Sequence, residues 1–264
     1  KSQVYIRRGL RAQAEGDTEE YQLWASLALE LLGKAALSKV HPALVADPTH
    51  YQSLFAACGI HISTDIKTIA AKTLFERLSH IDKAFDSRHQ KFCGQIAIRR
   101  NAELHSGESP FSGMAPEVWE REFWGAIEII LKMQAESLES WLGAQDSTAP
   151  AAFLKQAVQV TEWAVKNRIV RSKEDFESKY QDPNKRKEMI ESAGNRPIQD
   201  YGKKFNIIFD SWKRHGCPAC GAKGFLGGQL WREDVVDVDD ADDPMIEYTD
   251  ETYTVEEYVC PNCD

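Results

Sequence analysis

An arginine and a histidine five positions apart are the residues of this sequence best suited to catalysis, in the segment Arg100-Asn101-Ala102-Glu103-Leu104-His105. A histidine, with an ordinary pKa of about 6.5, can take a proton from a ribose 2′-hydroxyl or return one to a leaving oxygen. An arginine stays charged and can hold a phosphate while negative charge builds on its oxygens. The pair therefore suits phosphodiester cleavage in RNA.

The segment resembles the signature of the HEPN family, whose ribonuclease members carry an arginine, four to six intervening residues and a histidine, with a polar residue directly after the arginine. Asn101 fills that polar position. The resemblance covers roughly the first half of the chain. It implies a helical bundle with the motif in the connection between its last two helices. It also implies the activity of an endoribonuclease that uses no catalytic metal.

The same resemblance implies roles for the three residues. His105 is the expected general acid or base, Arg100 binds and polarises the phosphate, and Asn101 orients the histidine or the phosphate. The implied product carries a 2′,3′-cyclic phosphate, and the implied assembly is a homodimer in which two motifs meet in a cleft. Such nucleases act as toxins or in phage defence, and a regulatory protein partner is left open.

Helical spacing of apolar residues continues almost without interruption from Val4 to Leu142. Because positions 100 and 105 lie about 140° apart on a helix, Arg100 and His105 do not share a helical face. Gly107 and Pro110 favour a helix end at the motif, from which His105 is expected to swing back toward Arg100, while Glu30 and Glu103 are candidate partners of the arginine. One long helix is predicted to begin at Asp17 or Thr18 and to end near His41. Further helices are predicted at Tyr51 to Ala57, Ile66 to Leu78 and Asp86 to Leu104. A last helix is predicted to begin at Pro116, and its apolar stripe runs through Leu142.

The aromatic residues of that last stripe are predicted to pack in a core or a dimer interface rather than to stack on bases. Because the stripe from Trp119 to Leu142 is long, it favours a homodimer formed through the bundle. Beyond it, Gln145 to Ala149 is predicted to be a linker. Helices are predicted at Phe153 to Ile169, Asp175 to Ala193 and Ile198 to Arg214.

Two Cys-x-x-Cys pairs, Cys217/Cys220 and Cys260/Cys263, are the most specific signal in the chain. Two residues between thiolates let each pair bind one tetrahedral ion, and four thiolates leave no open position, so the spacing predicts one structural zinc per chain. A thioredoxin-like redox pair is the alternative, but its βαβ setting is absent from the sequence. Strand signals at Phe225-Leu226, Gln229-Leu230-Trp231 and Tyr253 to Val259 lie between the pairs and indicate a zinc ribbon.

The remaining cysteines, Cys58 and Cys93, are expected to be small core residues in apolar surroundings. His215, two residues before the first pair, is interpreted as a cation at the end of a helix rather than as a ligand. Thiolates bound to metal rather than to each other favour a reducing, cytoplasmic setting. The sequence has no run of about 18 apolar residues, so no membrane-spanning helix is expected, and its start does not match a secretory signal.

Charge is unevenly distributed. The chain has a net charge of −9, but residues 233–257 hold twelve acids and no bases, which leaves 41 − 12 = 29 acids against 32 bases elsewhere. An electropositive body is compatible with RNA as the partner, and solvated helix faces are an equal alternative. The acidic run from Asp234 to Asp243 has three interpretations: a solvated hairpin tip, a segment that docks on a basic surface, or a segment that imitates nucleic acid.

These observations predict a mainly α chain, with a HEPN-like helical bundle at 1–144, a helical extension at 150–214 and a small β zinc ribbon with an acidic insertion at 215–264. The first functional hypothesis is the endoribonuclease. The second is a non-catalytic scaffold that binds nucleic acid or a protein through the zinc ribbon, with His105 as a helix-end residue. A metal-dependent DNA nuclease is disfavoured because the sequence shows no carboxylate cluster or His-x-x-x-His spacing for an open metal site.

Overall fold

The computed structural model describes residues 1–112, 116–200, 209–236 and 248–263, and within them the chain is mainly helical with one small antiparallel sheet near its C terminus. This confirms the predicted fold class. The chain divides into two compact units, Lys1–Ala157 and Val158–Asp264. We call them the first and the second unit, and the boundary falls inside a single long helix.

Seven helices build most of the first unit in the described residues: α1 Ser2–Glu15, α2 Thr18–Val40, α3 Tyr51–Ala57, α4 Ala71–Ile81, α5 Ser87–His105, α6 Pro116–Met133 and α7 Leu138–Leu142. The predicted start of α2 is confirmed, because the Asp17 side chain accepts a hydrogen bond from the backbone N–H of Glu20 at 2.9 Å. The bounds predicted for α3 are confirmed as well.

α2 lies at the centre of this unit, in contact with α1, α4, α5 and α6. Aromatic residues of α6 fill the space beside it: the ring of Trp119 lies 5.0 Å from that of Tyr21 and 5.1 Å from that of Phe123. The buried carboxylate of Glu120 accepts hydrogen bonds from the Tyr21 hydroxyl at 2.8 Å and from Gln13 at 2.6 Å. The predicted core role of these aromatics is therefore confirmed.

Two predicted helices of the first unit differ from the structure. α4 begins at Ala71, five residues later than predicted, because Thr68 forms an extended bridge with Ala46. The stripe of α6 does not run on through Leu142, because α6 ends at Met133, Ala135 takes a positive φ of 56° and α7 begins anew at Leu138. At each of these positions the backbone forms a bridge or a turn instead of continuing the helix.

The predicted linker at Gln145 to Ala149 is wrong. α8 runs without interruption from Ala144 to Lys179 and carries Pro150 inside it, at the seventh position. The helix predicted for Asp175 to Ala193 is divided, since α8 ends at Lys179 and α9 spans Pro183–Ala193, with the Asp182 side chain as its N-terminal cap.

A meander of three antiparallel strands, ordered β1-β2-β3, forms the sheet of the second unit: β1 Ser211–Gly216, β2 Lys223–Val236 and β3 Tyr248–Val259. The predicted strand signals of β2 and β3 are confirmed. The helix predicted for Ile198 to Arg214 is wrong: Ile198–Asp200 is a short 3-10 turn and β1 begins at Ser211, where it pairs with Gly228 of β2. The tip of the β2–β3 hairpin, with most of the acidic run, lies outside the described residues.

No helix in the described part of the chain is long and apolar enough to cross a membrane.

Candidate functional site

The helix that carries the motif, α5, is fixed at its start by Asp86. The Asp86 carboxylate accepts a hydrogen bond from the backbone N–H of His89 at 3.0 Å and lies 2.7 Å from Nδ1 of the same residue. From there α5 buries Cys93, Ile96 and Ala97 in the first unit. Arg100 follows Ile96 by four residues, so helical geometry places it on the same inward face.

Arg100 is bound on two sides. Its Nη1 donates to Oε2 of Glu30 on α2, and its Nε and Nη2 donate to Oδ1 of Asn101 at 3.1 and 2.7 Å. The side chain of Arg100 is 11% exposed. Since a guanidinium has five N–H groups, these bonds occupy three of them and leave two without an acceptor among the described residues.

Glu30 is the centre of a charged network that joins α2 to α5. Its Oε1 pairs with Nζ of Lys34, one turn along α2, at 2.7 Å, and Lys34 also donates to the Thr68 hydroxyl at 2.9 Å. Burial raises the pKa of Glu30, but the hydrogen bonds and charges of Lys34 and Arg100 outweigh that effect and hold the pKa below its ordinary value. The carboxylate is therefore charged at neutral pH.

The sequence indicated two acidic partners for Arg100, and the structure separates them. Glu30 binds the arginine as expected. Glu103 does not: its Oε2 atom is buried and has no hydrogen-bond partner among the described residues. The sequence-based prediction did not include Lys34, although a lysine four residues after a glutamate in the apolar middle of a helix indicates an ion pair.

Asn101 orients Arg100 rather than His105, because its carbonyl oxygen accepts both hydrogen bonds from the guanidinium. Its side chain stands on the exposed face of α5. Since residues 101 and 105 lie about 40° apart on a helix, Asn101 and His105 share that face.

His105 is the last residue of α5 and is exposed. The expected swing of its side chain toward Arg100 is not observed, because the helix continues through His105 and keeps the two residues on different faces. No hydrogen bond or ion pair joins His105 to another residue in the described part of the chain. A single first unit therefore presents the arginine and the histidine near the same end of α5 but on different faces of the helix.

An open groove of about 450 Å³ runs between α4 and α5 and reaches Asn101. Small and apolar side chains form its floor, and lysines and amides stand along its edges. Its lining residues are Ala70, Ala71, Lys72, Phe75, Ser87, Gln90, Lys91, Gly94, Gln95, Ala97, Ile98 and Asn101.

In the second unit, the four cysteines of the two pairs come together as predicted. All four sulfur atoms lie within 4.8 Å of one another, and the Sγ atoms are 3.8 Å apart for Cys217 and Cys263 and 3.6 Å apart for Cys220 and Cys260. Gly221, with a φ of 78°, closes the first turn by donating its N–H to the Cys217 carbonyl at 2.9 Å. The cluster is compatible with a structural metal site.

Burial and mutual proximity disfavour ionisation of two of the four thiols. Burial raises the pKa of Cys260 to about 12, and the neighbouring Cys220 and Cys217 add to that effect; burial also raises the pKa of Cys263. Burial opposes ionisation of Cys217 as well, but the backbone N–H groups of Cys220 and Ala219 outweigh it and lower the pKa of that thiol. A positive ion among the sulfurs would favour the ionised thiolates and lower these pKa values, which makes the cluster compatible with a bound cation.

Helical residues of the second unit support the cluster. Phe176 of α8 and Ala193 of α9 are buried with the cysteines, and the Asn262 side-chain amide donates to the Met189 carbonyl at 3.1 Å. His215 is not part of the sulfur cluster and is not at a helix end: it lies in β1, with Nδ1 3.0 Å from the Gly216 carbonyl oxygen.

The two single cysteines differ from one another. Cys93 is fully buried, as expected, and burial raises the pKa of its thiol above its ordinary range. Cys58 is exposed at the end of α3, so its predicted apolar surroundings are wrong.

Comparisons of the chain with protein-family models, with curated proteins and with solved structures give no match. The resemblance to the HEPN family therefore rests on the motif residues themselves.

Proposed function

We propose that the chain is a metal-independent endoribonuclease of the HEPN type, with RNA as its substrate and a toxin or phage-defence role. The supporting observation is the end of α5. There Arg100, anchored by Glu30 and Asn101, keeps two N–H groups for an anion, and His105 stands exposed one turn beyond Asn101. This arrangement offers a fixed cation and a proton carrier near neutral pH.

The proposed reaction needs only these groups. The ribose 2′-oxygen attacks the adjacent phosphorus as its proton passes to a histidine, and the bond from phosphorus to the 5′-oxygen breaks as that oxygen receives a proton. The products are a 2′,3′-cyclic phosphate and a 5′-hydroxyl. The arginine stabilises the charge on the phosphate oxygens, which grows in the transition state.

A homodimer is part of the proposal, because Arg100 and His105 of one chain point away from each other. The dimer surface differs from the one that the sequence suggested, since the stripe of α6 and α7 is already buried: Trp119, Trp124 and Leu142 are each 2–3% exposed. Apolar side chains do remain exposed on α5 itself, with Ile98 at 69% and Leu104 at 49%. These residues lie beside the motif, and as an apolar contact surface for a second chain they would place its motif close to the first.

Cleavage by variant proteins tests the roles of both residues. His105→Ala is expected to lower the cleavage rate by roughly 10²- to 10⁴-fold, the usual contribution of a positioned proton carrier. His80, an exposed histidine in the last turn of α4, provides the matched control, and His80→Ala should cleave like the parent. Arg100→Lys keeps a charge beside Glu30 but loses the planar fork, and it should also cleave poorly while unfolding near the parent's temperature.

The exposed sheet favours a second candidate, a non-catalytic scaffold. Trp212 is 46% exposed, Leu230 41% and Val255 65%, and such residues on a small sheet are typical of a surface that binds nucleic acid or a protein. Parent protein that cleaves no RNA but binds RNA or a protein partner through this sheet would favour the scaffold. Trp212→Ala should then abolish binding.

We infer further that the four cysteines hold one structural zinc ion per chain. A tetrahedron of thiolates with zinc–sulfur bonds of about 2.3 Å has edges of about 3.8 Å. The two measured Sγ distances of 3.8 and 3.6 Å fit this value. Metal analysis of purified protein should give one zinc per chain, and Cys217→Ser should lose it; protein that contains no zinc would exclude this assignment.

A further inference from the structure

The groove between α4 and α5, defined above by its lining residues, has the charge of an anion-binding surface. Two lysines and no acidic side chain line it. Lys72 and Lys91 are both exposed, and neither makes a hydrogen bond or an ion pair with another described residue. Their charges therefore face the groove and the solvent without compensation.

The first turn of α4 adds to this character at one end of the groove. Ala70 precedes the helix, and no side chain caps the backbone N–H groups of its first turn. Ala70, Ala71 and Lys72 all line the groove at this point. Free N–H groups at a helix start attract anions, here beside the Lys72 side chain.

Gly94 keeps the middle of the groove open. It lies in the interior of α5, where glycine weakens a helix relative to other residues. A Cβ atom added to Gly94 would meet no atom within 4 Å, so packing does not demand a glycine there. What the glycine provides is space, next to the exposed side chain of Ile98, for a flat apolar group.

The groove leads to the proposed catalytic residues. Lys91 and Asn101 are ten residues apart on α5, or about 15 Å. A stacked strand that rises by roughly 3.4 Å per nucleotide covers this length with about four nucleotides. Asn101 forms the end of the groove, holds the Arg100 guanidinium and lies one turn before His105.

We propose that this groove binds the single-stranded RNA beside the scissile phosphate, an inference that rests on the proposed ribonuclease function. Lys72 and Lys91 bind phosphates of this strand, and one base lies over Gly94 on the apolar floor of the groove. The absence of acidic lining residues favours a polyanion over a peptide, and the apolar floor favours an unpaired base over a duplex.

The test uses the full chain and a fluorescently labelled 12-nucleotide RNA with 2′-O-methyl riboses, which lacks the nucleophile and so binds without being cleaved. Gly94→Leu fills the groove and should raise the Kd at least about tenfold. In Lys72→Gln/Lys91→Gln, the slope of log Kd against log salt concentration should fall by roughly 0.7 for each lysine lost. Lys132→Gln, at an exposed lysine of α6 outside the groove, should leave both values unchanged.

The variants also show why binding is lost. Gly94→Leu should unfold at or above the parent's temperature, because leucine favours a helix and its Cβ atom meets no neighbour within 4 Å. If it binds the RNA as tightly as the parent while the parent cleaves RNA, the groove inference is wrong and the ribonuclease stands. Parent protein that neither binds nor cleaves RNA overturns both. A change of oligomeric state in Gly94→Leu with unchanged RNA binding would assign the groove to self-association instead.

Discussion

At the residue scale, a mostly buried charged network anchors Arg100. A charged pair that is mostly buried costs desolvation, and it is retained where its partners bind each other well. Glu30 and Arg100 are 15% and 11% exposed, and Lys34 adds a second cation to the same carboxylate. The network holds the guanidinium in place, as its proposed phosphate-binding role requires.

Replacing this carboxylate should destabilise the first unit. Glu30→Gln leaves two cations without their shared anion, and the free energy of unfolding should fall by about 1–3 kcal/mol at pH 7. Glu128→Gln is the matched control, since Glu128 pairs with Lys132 four residues later at 3.0 Å but on the surface, and it should change stability by under about 0.5 kcal/mol. Urea unfolding of both variants makes the comparison.

The same variant makes a prediction about pH. Because the pKa of folded Glu30 lies below its ordinary value of 4.5, its contribution to stability is complete above that value and is lost as the pH falls through the folded pKa. The stability difference between parent and Glu30→Gln should therefore shrink below about pH 4.5. A difference that stays constant down to pH 3 would show that the carboxylate is not held in its charged form.

At the element scale, α5 depends on its N-terminal cap to place the motif. Asp86→Ala removes the side-chain acceptor for the His89 backbone N–H, and should lower stability by about 1 kcal/mol, or roughly 2–4 °C in Tm. Asp86→Asn supplies an equally good cap and should restore most of the loss. Thermal unfolding followed by circular dichroism measures both, and two variants with equal Tm losses would point to the His89 ring contact rather than the cap.

The elements that the sequence predicted well are those with strong local signals. α2 combines an aspartate cap with apolar residues at helical spacing, and the strands β2 and β3 combine aromatic and β-branched residues between turns. The predicted linker failed because Gln-Asp-Ser-Thr followed by Pro150 has the composition of a loop, whereas the chain continues a helix through it. A helix was wrongly predicted in place of β1 because pairing with β2 decides the conformation of this segment, and the local spacing of residues does not reveal such pairing.

In the two candidate sites as well, features that depend on local sequence were predictable and features that depend on distant contacts were not. The sulfur cluster was predictable because the spacing within each pair is local and the chemistry of four thiolates is specific. For Arg100 the sequence supplied Glu30 and Glu103 as candidate partners but did not choose between them, because Glu30 lies 70 residues earlier and only the packing of α2 against α5 brings it to the arginine. The expected contact between Arg100 and His105 is absent because α5 continues through His105, one residue beyond its predicted end at Leu104, and sequence patterns do not determine so small a boundary shift.

At the scale of the whole molecule, the two compact units should respond differently to metal removal. A closed tetrathiolate site contributes to folding free energy directly, so a strong zinc chelator should unfold the sheet while the bundle persists. Hydrogen exchange should then show lost protection at the β2 and β3 amides and retained protection in α2 and α6. Simultaneous loss in both units would mean that they fold as one.

Self-association is a second property of the whole molecule. Light scattering should give twice the chain mass of 29.8 kDa, because the proposed site needs two copies of α5. Leu104→Glu places a charge on an exposed apolar side chain of α5 that does not line the groove, and it should produce monomers that no longer cleave RNA. A parent protein that is monomeric and active would remove the dimer from the mechanism.

The central claim is that this chain cleaves RNA through the 2′-hydroxyl without a metal, and product analysis tests it most directly. Parent protein is incubated in EDTA with a single-stranded RNA and with the same strand carrying one 2′-deoxyribose at the mapped cleavage position. We expect cleavage of the first strand to a 2′,3′-cyclic phosphate and none at the substituted position of the second. Cleavage that needs Mg²⁺, or that continues at the deoxyribose, would contradict it.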